Sequence, residues 1–182
     1  MKKHIALFLA IGTLSFISCT NSTKKTEKDP EIVVVDVSEK QTYIAAKAEV
    51  KFKDPKVATV YQIYIDLKTA LVNSNAISTA EEAGHLKIAL TEVGADENVL
   101  IAVQSITEST DVEDQRVEFV LITETVENML DGAIESGVVY KQYCPMAFDF
   151  KGGYWLSNSI EINNPYFGDK MLRCGKVTSE IR

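Results

Sequence analysis

The chain has 182 residues, which fits one domain or two. Hydrophobic residues make up 46% and charged residues 25%, which excludes a largely disordered, collagen-like or multi-span membrane protein. A formal net charge of -7 repels phosphate backbones, so no nucleic acid partner is expected, and three cysteines are too few for a dense disulfide scaffold.

Residues 1–18 read as a secretory signal peptide. Lys2 and Lys3 precede an apolar run over 5–17 that Gly12, Thr13 and Ser15 interrupt. The run is shorter than the roughly 20 apolar residues that span a bilayer. Phe16, Ile17, Ser18 and Cys19 resemble a bacterial lipobox, with Phe16 in place of the usual leucine. The resemblance implies cleavage before Cys19 and lipid on its sulfur. The alternative is ordinary cleavage near Ser18 and a free Cys19 thiol. Residues 19–30 are polar and lysine-rich and read as a flexible tether. The expected location is the cell envelope, with a lipid anchor in the membrane and the folded domain in the periplasm.

Residues 31–53 read as extended. Ile32, Val33, Val34 and Val35 are apolar and β-branched, and Ala48, Val50 and Phe52 alternate with charged neighbours. A helical period then takes over. Asp54 and Pro55 make a start signal, and Val57, Val60, Tyr61, Tyr64, Leu67 and Leu71 put one apolar face on a helix over 55–74. Ser78 with Glu81 fits a capping box for a second helix that runs to Val93 and stops at Gly94. A third helix covers 96–108. Thr110 with Glu113 opens a fourth that runs to Glu135, with Phe119, Ile122, Val126, Met129 and Ala133 as its stripe.

The expected fold is mainly α: an antiparallel four-helix bundle over 54–182, with a short extended N-terminal segment and an irregular C-terminal tail rich in Cys, Met and aromatics packed on it. In that tail a short strand is expected near 138–143. Trp155, Tyr166 and Phe167 are expected in the core; the alternative is a partner-binding surface.

Both remaining cysteines lie in the tail, each beside a methionine: Tyr143-Cys144-Pro145-Met146 and Met171-Leu172-Arg173-Cys174-Gly175. Thiolate and thioether are soft ligands that select Cu(I) and similar ions. Cys144, Met146, Met171 and Cys174 are therefore the candidate metal ligands. The competing reading is a Cys144–Cys174 disulfide, which closes a loop of about thirty residues and stabilises by roughly 3–4 kcal/mol. Met146 and Met171 then fill gaps in an aromatic core. His85 stands alone on a helix once the signal is removed, so neither a histidine-rich zinc site nor a catalytic triad is expected. No enzymatic activity is expected.

The run over 140–177 closely resembles the C-terminal signature of the bacterial family named domain of unknown function 3347. Residues 52–75 resemble that family's first helix, and residues 111–116 its later helix start. The resemblance extends over about 52–178. Family members occur as exported lipoproteins, and the domain is also attached to periplasmic adaptor subunits of heavy-metal efflux pumps. The resemblance thus implies handling of copper or a related ion, with an efflux adaptor or pump as partner. The Cys144-Pro145-Met146 core also looks like the Cys-Pro-Met-His-Pro motif of copper exporters. Ala147 and Phe148 replace its histidine and proline, which removes one nitrogen ligand.

Overall fold

The computed structural model describes residues 42–47 and 49–182. The signal peptide, Cys19, the tether and residues 31–41 of the extended segment lie outside the described residues.

Asp54 caps α1 (Pro55–Val72): its carboxylate accepts from the Lys56 amide at 2.8 Å, and Pro55 fills the first turn. Val60, Tyr61, Tyr64, Leu67 and Leu71 are buried as the period requires. α2 (Ala76–Glu92) begins earlier than the Ser78–Glu81 spacing suggests. Asn75 is its cap and accepts from the Ser78 amide at 3.1 Å, so Ser78 donates to the cap instead of serving as one. α3 spans Glu97–Glu108 behind its cap Asp96, and α4 spans Val112–Leu130 behind Asp111, one residue past Thr110. α4 stops at Leu130, short of Glu135. Gly132 turns the chain at a φ of 65°, and β2 (Ile134–Ser136) then pairs antiparallel with β1 (Lys51–Phe52).

The four helices match the expected count and make the protein mainly helical. α1 packs on α2, α2 on α3, α3 on α4, and α4 on α1. The tail departs from the irregular packing expected of it. β3 (Val139–Cys144), β4 (Gly153–Ser157) and β5 (Lys176–Ile181) form an antiparallel sheet in the order β4-β3-β5. Its strands are short and set between glycines, but Val139, Tyr140, Tyr143, Tyr154, Trp155 and Val177 are the residue types a pleated surface favours.

Aromatic rings join the tail to the helices. Tyr64 stacks on Phe119 at 5.2 Å, Phe119 meets Tyr166 at 6.1 Å, and Tyr166 meets Trp155 edge-on at 6.0 Å. The Tyr64 hydroxyl accepts from the Leu156 amide at 2.9 Å, which fixes β4 on α1. Trp155 and Tyr166 are core residues and Phe167 is half-buried, so the core reading of these rings holds. Arg116 of α4 is buried and makes a second tie. It donates to Pro165 O at 2.7 Å, Leu71 O at 3.1 Å, Ser74 Oγ at 3.0 Å and Glu113 Oε1 at 2.9 Å. One guanidinium thus holds the end of α1, the start of α4 and the tail together.

Candidate metal site

Cys144 ends β3, where the ladder sets it opposite Gly153. Its side chain is fully buried. Gly153 leaves no room for a Cβ, because the Tyr166 ring fills that space at 2.6 Å. Cys174 sits between the 3-10 turn Gly168–Lys170 and β5, and it is half-buried. Two contacts hold its backbone. The Cys174 amide donates to Met171 O at 3.0 Å, and the Asn164 side-chain amide donates to Cys174 O at 2.8 Å. Gly175 follows at a φ of 147°, and a Cβ there would stand 2.8 Å from the Trp155 ring. Asn164 is itself buried and also accepts from the Tyr166 amide at 2.8 Å.

These constraints bring the two sulfurs to 3.4 Å, with both cysteines as free thiols. Burial and the neighbouring Cys144 sulfur push the Cys174 thiol above its ordinary pKa.

The two methionines lie elsewhere. Met146 and Met171 line one cleft of about 450 Å³ with Phe148, Phe150, Tyr166 and Phe167. Neither cysteine is among the described residues that line it. The floor is the turn Ala147–Phe150, where Phe148, Asp149 and Phe150 take φ values of 52°, 54° and 67°. Three successive non-glycine residues in the left-handed region are costly, at about 1–2 kcal/mol each. The structure therefore divides the four sulfurs into a touching thiol pair and a thioether cleft.

Among the described residues, no group of three or more His, Cys, Asp or Glu side chains is gathered to hold a metal. His85 is exposed, with Glu82 at 3.4 Å. Sequence reasoning missed Arg116 and Asn164, which position the tail and Cys174. It also missed Lys68, a fully buried lysine on α1. Lys68 Nζ lies 5.3 Å from the centre of the Tyr43 ring and donates to its hydroxyl at 3.4 Å. Burial pushes its pKa down to about 8.

A family model described as a protein of unknown function (DUF3347) matches residues 60–136. Over that stretch the chain is similar to the DUF3347 family. The matched stretch of DUF3347 runs from within α1 to β2 and ends before Cys144. No curated protein and no solved structure matches the chain. No helix among the described residues is long and apolar enough to cross a membrane.

Proposed function

We propose that the protein is a non-catalytic, exported lipoprotein that binds a soft metal ion, Cu(I), for sequestration in the periplasm or delivery to a heavy-metal efflux adaptor or pump. In this reading the four helices form an antiparallel bundle that serves as a rigid support. Lipid on Cys19 anchors the chain to the membrane, and the tail carries the ion as cargo.

The observation that carries this reading is the 3.4 Å approach of the Cys144 and Cys174 sulfurs. Metal–sulfur bonds of about 2.3 Å set two sulfurs on one ion roughly 3.8–4.6 Å apart. A small rotation of the half-buried Cys174 side chain opens the pair that far. Two thiolates fall short of the four ligands of a structural zinc site. They suit an ion that accepts few, soft ligands. Both thiols lose protons on binding, so the affinity rises with pH. Met146 and Met171 line a separate cleft with Phe148 and Tyr166, so in this reading they contribute less to the ion than the two cysteines do.

The test is a Cu(I) titration against a competing chelator, on reduced full chain carrying Cys19→Ser, without oxygen. One ion per chain is expected. Cys144→Ser and Cys174→Ser should each weaken binding by at least about a hundredfold, and Met146→Leu and Met171→Leu by about tenfold or less. Unchanged affinity in both cysteine variants would refute the site.

A further inference from the structure

The two thiols are unequal in a way that the metal reading does not use. Cys144 is fully buried at the end of a strand, whereas Cys174 is half-buried on a loop. Their sulfurs are 3.4 Å apart, against about 2.05 Å in a disulfide. An outside molecule can meet Cys174, whereas Cys144 presents no surface to it.

We propose that Cys144 and Cys174 form a thiol–disulfide switch, in which Cys174 exchanges with a low-molecular-weight disulfide and Cys144 resolves the adduct, closing the soft-metal site. The control of metal rests on the copper reading above; the exchange chemistry does not. In the first step the Cys174 thiolate attacks one sulfur of the outside disulfide. That S–S bond breaks, one small thiolate leaves and takes up a proton, and a mixed disulfide forms on Cys174. In the second step the Cys144 thiolate attacks the Cys174 sulfur and expels the second small thiol. Two protein thiols and one small disulfide become one protein disulfide and two small thiols. The protein gives up two electrons and two protons, and the small disulfide takes them. The product offers no thiolate, so the ion leaves. Reduction runs in reverse, with the incoming thiol attacking the accessible Cys174 sulfur.

The packing keeps both ends in place for this chemistry. The ladder with Gly153 fixes Cys144, and Asn164 with Gly175 fixes the Cys174 backbone, so only the Cys174 side chain has to turn.

Oxidised glutathione is the probe, on full chain carrying Cys19→Ser. With Cys144→Ala, Cys174 should keep one glutathione as a lasting adduct. With Cys174→Ala, Cys144 should react at least about tenfold more slowly. The two-cysteine chain should pass to its internal disulfide without accumulating the adduct, and reduced glutathione should restore both thiols. Equal rates in the two single-cysteine chains, or a lasting adduct in the two-cysteine chain, overturn the assignment. A disulfide that reduced glutathione leaves intact is a static staple and overturns the switch. Where Cys144→Ala does not fold, an acid quench of the two-cysteine chain followed by peptide mapping decides. The first glutathione is expected on Cys174, and finding it on Cys144 overturns the order of attack. Cu(I) should bind the oxidised form at least about a hundredfold more weakly than the reduced form. Equal binding by both forms overturns the gating alone, whereas no binding by either overturns the proposed function and the gating with it.

Discussion

Lys68 gives the clearest consequence of a single residue. Its ammonium is buried on α1 under Tyr43 and leaves water at a cost. The unfolded chain holds that proton to about 10.5, the folded chain only to about 8. Between those values the unfolded state binds more protons, so stability rises with pH, by up to about 3 kcal/mol. Burial moves Tyr61, Tyr64 and Tyr166 the other way, upward. Above about pH 10 the unfolded state loses tyrosine protons that the folded state keeps, and stability falls. Urea unfolding of Lys68→Met beside the parent isolates the lysine. The variant is expected to be more stable at pH 7 by about 1–3 kcal/mol, with the difference shrinking toward pH 10. A difference that does not change between pH 8 and 10 contradicts the buried charge. Neither Lys68 nor Arg116 was legible in the sequence. The partner Pro165 lies 49 residues beyond Arg116, and Tyr43 lies 25 residues before Lys68, so no local pattern marks either as buried.

Among the elements, the helices and β3 were legible and the rest of the sheet was not. Apolar stripes at spacings of three and four located α1, α3 and α4, and Asp54 stood where the first helix begins. The start of α2 was misplaced because Asn75 and Ser78 compete for one role, and only Asn75 directs its side chain at a free amide. Asn75→Ala should therefore cost about 1 kcal/mol in urea unfolding and Ser78→Ala only a few tenths. Equal costs contradict the assignment of the cap. The end of α4 was missed because the helical stripe continues to Ala133 while Gly132 has already turned the backbone. β4 and β5 were obscured by their glycine borders and by pairing that joins residues as far apart as Val139 and Ile181. The closeness of Cys144 and Cys174 was legible as a candidate pair. The separate cleft for Met146 and Met171 was not, since it depends on the left-handed turn at Phe148, Asp149 and Phe150.

At the scale of the whole molecule, the helices and the tail share one core. Tyr64, Phe119, Tyr166 and Trp155 run ring to ring from α1 through α4 to β4, and Arg116 bonds to α1, to α4 and to the tail at Pro165. The proposed metal site would therefore rest on a tail that shares its core with the helices. Trp155 fluorescence, which reports the tail, and far-ultraviolet circular dichroism, which reports the helices, should give one coincident urea transition. A tail that melts first, with the helices intact, contradicts the shared core.

The thiol pair as a soft-metal site is tested most directly by X-ray absorption at the copper edge, on Cu(I)-loaded full chain carrying Cys19→Ser. The expected result is a copper ion with two or more sulfur neighbours and no nitrogen. Its two thiolate sulfurs should vanish when Cys144→Ser and Cys174→Ser are combined. Copper bound through nitrogen or oxygen, or a sulfur signal that the double substitution leaves unchanged, would contradict the site.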